Sequence, residues 1–296
     1  MSAPLANAAL LGRTEAWERR RLLGLTAPAV VLVAVTVIAP CLWLFCLSFM
    51  DDAGQFTFEN YRRMWLQPSY ARTFRMTFEI SAATTTLCVL LGYPLAYFLA
   101  ELPKRAANLC MIAVTLPLWT SILVRTYAWL VLLQRQGLIN TWGIQLGWWN
   151  VPLALVNNVT GTLIGTVHVM LPFLVMPLYA SMRAIDRDLL KAASNLGATP
   201  MQTFRCVFLP LSLPGLMTGA TIVFVLCLGF YITPAVLGGG KVIMVANRIA
   251  SDIELFFNWG ASSALGVVLL VSTALLLFIA SRLIRLDGIV RGRPAR

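Results

Sequence analysis

Apolar residues fall in six long runs, at 22–50, 74–100, 106–134, 161–182, 215–237 and 261–281. Each is long enough to cross a bilayer as a helix, which takes about 20 apolar residues. Charge inside the runs is sparse. Arg75 and Glu79 sit near the start of the second, Arg125 in the third, and His168 can carry charge in the fourth. Pro28, Pro40, Pro94, Pro117, Pro172, Pro177 and Pro234 fall within runs, which membrane helices tolerate. The pattern predicts an all-α membrane protein with six transmembrane helices. No long polar segment separates the runs, so residues 22–285 form one domain. A segment 1–21 precedes it and a basic tail 286–296 follows it.

Composition agrees. The chain is 59% hydrophobic and only 12% charged, about half the charged share of a soluble domain. The net charge of +11 raises the question of nucleic acid. Its basic residues border apolar runs, however, so membrane topology accounts for them and no nucleic-acid partner is expected. Lys and Arg divide fifteen to eight between the two sides. That bias puts both termini of this multi-pass chain in the cytoplasm. The 1–21 segment makes a poor signal peptide, because its charges follow a weak apolar patch. Cys41, Cys46, Cys88, Cys110, Cys206 and Cys227 form no CxxC pair and read as small apolar residues.

Three loops face outward, at 51–73, 135–160 and 238–260. They carry apolar residues and suit helices lying at the membrane surface, with Trp148, Trp149 and Trp259 as belt residues, or else a docking surface.

The cytoplasmic segment DLLKAASNLGATPMQTFRCVFLPLSLPG, 188–215, is the most structured polar stretch. Asp186 can cap a helix beginning at Arg187, with Asp188 in its first turn. Leu189, Leu190, Ala193 and Leu196 recur at helical spacing. Gly197 stands where a helix closes with a left-handed residue. Thr199, Pro200 and Gln202 then spell N-cap, first position and capping box. The second short helix should end near Phe208, with Pro210 and Pro214 redirecting the chain into the fifth span. Small residues at Ala192, Ala193 and Ala198 suit packing into a groove on another protein. The same chemistry suits an amphipathic loop on lipid headgroups.

This segment resembles the EAA loop of membrane subunits of ABC importers. The family pattern is Glu-Ala-Ala, three residues, Gly, nine residues, a branched apolar residue, any residue, then Leu-Pro. Here Lys191, Ala192 and Ala193 are followed by Gly197, Val207, Leu209 and Pro210 at the same spacing. Lys191 replaces the acid, and Val207 stands for the usual isoleucine. Over about 22–285 the chain resembles the spermidine/putrescine (PotB/PotH-like) permeases, which include opine-type relatives. GFYITPAVLGGGKVIMVANRI, 229–249, adds to that likeness. The resemblance implies a type I ABC importer permease fold, with cytoplasmic coupling helices between spans four and five in a loop at about 183–214. By that likeness Lys191, Ala192, Ala193, Gly197, Ala198, Thr199, Pro200, Leu209 and Pro210 contact a cytoplasmic ATPase. It further implies two ATPase copies carrying ATP and Mg, a second related permease, and a periplasmic or extracellular substrate-binding protein. The substrate would be a polyamine or a related opine or amino compound.

Intramembrane ionisable groups are candidates for function. Glu79 and Arg125 can bind a charged substrate or neutralise each other, and the mutual pair is expected. Tyr231, Thr233 and Pro234 interrupt the fifth span before Gly238–Gly240, and irregular membrane backbone lines a cavity or packs against protein. Tyr127 and Trp129 can offer aromatic faces to an ammonium group. His168 is expected to be neutral and bonded to a backbone carbonyl. It has no carboxylate or thiolate cluster beside it and makes no metal site. There is no GxxxxGK[ST] and no nucleophile–base constellation, so the chain itself should hold no cofactor and catalyse no hydrolysis. A secondary transporter or channel is the rival class. It would need a coupling-ion site of its own, and intramembrane carboxylates are few.

Overall fold

The computed structural model describes residue 21, residue 24, 26–51 and 54–290, with side chains described as far as residue 282 except at 280. Most of the 1–21 and 286–296 segments lies outside the described residues. Among the described residues twelve helices follow in order: α1 Thr26–Leu47, α2 Glu59–Leu66, α3 Pro68–Glu101, α4 Lys104–Thr115, α5 Ile122–Leu133 and α6 Leu138–Gln145. Then come α7 Val159–Arg183, α8 Arg187–Asn195, α9 Pro200–Leu228, α10 Ile232–Leu237, α11 Val245–Glu254 and α12 Trp259–Val290. Among the described residues the only β pairing is an isolated antiparallel bridge, Met50 to Phe56.

Five helices, α1, α3, α7, α9 and α12, are long and apolar enough to span a membrane, and α4 with α5 makes a sixth if that bent pair is one span. The third run was expected to be one membrane-crossing helix. It turns by 96° instead. Pro117 has no N–H to continue the ladder, and the chain tightens into a 3-10 turn at Leu116–Trp119. Thr120 is extended (φ −95°, ψ 149°), and its Oγ1 donates to the Pro117 carbonyl at 2.9 Å. Arg125 Nη2 donates to the Thr120 carbonyl at 3.2 Å. The break therefore supplies partners for its own exposed carbonyls, as the membrane interior requires.

Two π-helical stretches stand immediately before prolines. One, at Ala34–Ile38, precedes Pro40, and the other, at Phe204–Phe208, precedes Pro210. A proline ring clashes with the carbonyl four residues back. A π turn widens the helix at that point and absorbs the misfit. Pro210 and Pro214 thus do not redirect the chain, as the sequence reading expected. The second short helix runs on into the fifth span as one element from Pro200 to Leu228.

Helices α3, α7 and α9 make the centre. Cys88, Met170, Leu174, Val223 and Cys227 pack midway, and Ala96, Leu99, Leu178, Met182 and Phe208 pack toward the α8 end. The close approach of α9 to α7 depends on Gly215 and Gly219. A Cβ at Gly219 would fall 2.9 Å from the Leu174 carbonyl oxygen, and one at Gly215 would fall 2.3 Å from Ser181 Cβ. This small-xxx-small spacing is a known device for packing membrane helices. By contrast, no residue of the α1 window is buried; α1 touches α12 along its second half and otherwise is open to lipid or to another chain.

Each of the three loops expected to face outward carries a short helix: α2, α6 and α11. Helix α11 is seated by Val245, whose N–H donates to Thr77 Oγ1 at 2.9 Å, and by Arg248, which lies over the Tyr70 ring at 5.2 Å and pairs within the helix with buried Asp252 at 2.9 Å. Burial pushes the Asp252 carboxyl above its ordinary pKa, and Arg248 opposes that shift. Trp148 is exposed and Trp259 half-exposed. Trp149 lays its ring over Gly143, where no Cβ would fit.

Candidate functional site

The loop after α7 follows its local chemistry closely. Asp186 accepts the Asp188 N–H at 2.9 Å and caps α8. At the other end Gly197 has φ +85°. The Gly197 N–H donates to the Ser194 carbonyl at 3.0 Å and the Ala198 N–H to the Ala193 carbonyl at 3.1 Å, which is a Schellman closure. Thr199 and Gln202 form a reciprocal capping box, and Pro200 is the first residue of α9. Lys191 Nζ pairs with Asp188 Oδ1 at 2.9 Å, so its partner lies on its own helix. Ala192 is exposed, while Ala193, Ala198, Leu209 and Pro210 are half-buried. Leu189, Leu196 and Met201 remain exposed, Leu196 by 88%.

The loop is clamped to the end of α3. Arg187 Nη1 donates to both oxygens of Glu101, at 2.6 and 2.8 Å, and its Nη2 to the Ala100 carbonyl at 3.0 Å. Arg183 Nη1 donates to the carbonyls of Ala100 and Leu102, at 2.8 and 3.1 Å. Above this clamp the Tyr97 ring meets Phe204 and Phe208 edge-on at 5.8 and 5.1 Å, and Tyr93 Oη bonds Ser212 Oγ at 2.9 Å. A cleft of about 460 Å³ lies between Glu101, Arg187, Lys191 and Phe204. From sequence, Arg187 is only the start of a helix, and neither Arg183 nor Glu101 carries a role. A lone carboxylate at a span's end, with two arginines four residues apart after another span, was the available signal.

The residues proposed for a pathway divide into two groups. Helices α5 and α10 meet where Thr126 and Thr233, both buried, bond at 3.4 Å. On the next turn of α5, Trp129 Nε1 donates to His168 Nδ1 at 3.0 Å. His168 is therefore bonded to an indole and not to the expected backbone carbonyl. The chain breaks between Leu228 and Ile232, at Tyr231 as expected, but Thr233 and Pro234 lie inside the short helix α10 and do not interrupt it. There the Tyr231 carbonyl accepts from Asn247 Nδ2 at 3.0 Å. Tyr127 and Tyr231 are exposed. Glu79 stands apart from this group. It pairs with Arg75, one turn earlier on α3, at 2.7 Å, and not with Arg125. Arg75 is four residues away on the same helix, and that local geometry wins over a cross-helix pair.

A family model described as "binding-protein-dependent transport system inner membrane component" matches residues 22–286. The chain belongs to this family. Its relatives include the spermidine/putrescine transport system permease protein PotB of Haemophilus influenzae. That protein is 34% identical over 252 residues, covering 83% of this chain and 88% of the relative. PotB of Escherichia coli K12 is 33% identical over 256 residues, covering 84% and 93%.

Solved importers carry the same fold. A bacterial ABC transporter involved in import of the acidic polysaccharide alginate superposes with a TM-score of 0.71, at 16% identity, covering 92% of this chain and 97% of that one. A structure of the alginate transporter in complex with an alginate pentasaccharide-bound periplasmic protein gives a TM-score of 0.75, at 15% identity, covering 92% and 96%. The methionine transporter MetNI in an inward-facing conformation gives 0.55, at 19% identity, covering 76% and 98%. The chain is thus a multi-pass inner-membrane permease component of a binding-protein-dependent importer, a transport part and not an enzyme.

Proposed function

We propose that this permease carries polyamines, with ATP hydrolysis supplied by two copies of a cytoplasmic ABC ATPase that bind Mg and ATP. A second, related permease completes the pathway, and a periplasmic or extracellular binding protein delivers the substrate. Both termini lie in the cytoplasm on this reading. The observation that carries it is the loop 186–210, whose caps and closure follow the coupling-loop pattern and which is tied by Arg187 and Glu101 to a central helix. Kinship with PotB proteins supports the polyamine substrate. Exposed Leu189, Leu196 and Met201 are the surface that the ATPase covers. Lys191, held by Asp188, makes a contact different from that of the family acid. Tyr127, Trp129, Tyr231 and Thr233 border the pathway near the α5–α10 junction, and Glu79, paired with Arg75, stands on α3 toward the same end.

The test is co-purification with candidate ATPases, followed by reconstitution with the binding protein and radiolabelled spermidine. ATP-dependent uptake is expected. Uptake by this chain alone, driven by an ion gradient and without any ATPase, would sink the proposal.

A further inference from the structure

At the end of α7 opposite the α8 loop, a second cavity of about 600 Å³ opens between Gln134–Arg135, Ala154–Asn157 and Lys241. Its walls are fixed by a fully buried side chain. Asn140 Nδ2 donates to the carbonyls of Gln134 and Leu153, both at 3.0 Å, and its Oδ1 accepts the Leu153 N–H at 2.8 Å. The third wall is fixed by backbone. The Lys241 N–H donates to the Gly238 carbonyl at 3.0 Å across a turn in which Gly239 and Gly240 have φ +55° and +74°. A Cβ at Gly239 would fall 2.4 Å from Asn157 Cβ, so the turn seats against the facing wall only with glycine there.

Arg135 and Lys241 bring two positive charges to this pocket. Neither forms an ion pair with a carboxylate among the described residues. Both are exposed, and two cations lining one pocket favour an anion there. They also repel a polyamine, so the pocket is no part of a cationic substrate's route. Its opening lies at the end of the molecule farthest from the coupling loop, and its volume exceeds what an inorganic anion needs.

We propose that this pocket receives an acidic side chain of the substrate-binding protein and registers that protein on the permease. The inference rests on the reading of the chain as a binding-protein-dependent permease. Charge complementarity of this kind governs encounter and register.

The experiment uses the whole transporter in phosphatidylcholine nanodiscs, which carry no net anionic headgroup. Substrate-loaded binding protein is titrated in, and its half-saturating concentration for ATPase stimulation is read. The double variant Arg135→Glu/Lys241→Glu should raise that concentration by about tenfold or more. The wild-type value should rise between about 50 and 300 mM salt, and the variant's should not. Should the reversal variant fail to assemble, Arg135→Gln/Lys241→Gln serves, with a rise of about threefold expected. Half-saturation unchanged in the variants at both salt concentrations overturns the proposal. So does a thermal shift with inorganic phosphate that the variants abolish while half-saturation stays the same, which would assign the pocket to a small anion. If the binding protein fails to stimulate even the wild type, the reading of function fails instead.

Discussion

Gly197 illustrates how much can rest on one backbone angle. Nothing lies within 4 Å of a Cβ built there, so a side chain meets no clash, and the whole difficulty is the φ of +85°. A β-branched residue at such an angle is strained by about 1–2 kcal/mol. Gly197→Val should therefore open the Schellman closure and uncouple ATPase activity from uptake, while insertion and expression stay normal. Normal uptake by that variant would count against the coupling role. At His168, replacement by Leu leaves the Trp129 indole N–H without its acceptor, at a cost of about 1–2 kcal/mol. His168→Gln, which can still accept, should melt closer to wild type. Equal melting temperatures for the two variants would show that the bond contributes nothing.

The caps at Asp186 and Thr199 were legible in the sequence because they are settled within four residues. Glu79 pairs just as locally, with Arg75 four residues before it, and not with the more distant Arg125 that the expectation joined to it. The bond between His168 and Trp129 joins two helices 39 positions apart. No spacing rule reaches that far.

Among the elements, the prolines teach most. Six apolar runs were enough to place the spans, but not to say which prolines break a helix and which are absorbed. Pro117 ends one, and the Thr120 hydroxyl and the Arg125 guanidinium bond the carbonyls freed there. Pro210 ends nothing because five residues before it widen into a π turn. Pro210→Ala removes the reason for that widening. The segment should relax to α-helix, turning Pro200–Thr203 by about 100° relative to the rest of α9. The Tyr97–Phe204 contact would then be lost. A disulfide cross-link between cysteines introduced at Tyr97 and Phe204, tested with and without Pro210→Ala, reads this directly. Equal cross-linking in both backgrounds would refute it.

For the molecule as a whole, α7 and α9 form the axis of assembly, and Gly215 and Gly219 set their separation. Gly219→Leu drives a side chain into the Leu174 backbone and should cost about 1–3 kcal/mol or more, read as a lowered melting temperature of the detergent-purified transporter. A variant as stable as wild type would show that the contact is slack. The spacing GLMTG is plain in the sequence, but its partner, the Leu174–Ser181 stretch of α7, is a fact of tertiary packing.

Helix α3 has a mechanical consequence. Its inner end is gripped by Arg187 through Glu101, and Thr77, about 36 Å away along the helix axis, holds the first residue of α11. The thirty-four residues of α3 therefore act as a lever with both ends hitched. A tilt of about 10° at the inner grip would carry the outer hitch through about 6 Å. If the proposed ATPase moves the α8 loop, a stroke too small to see there becomes a door's width at the other end of α3.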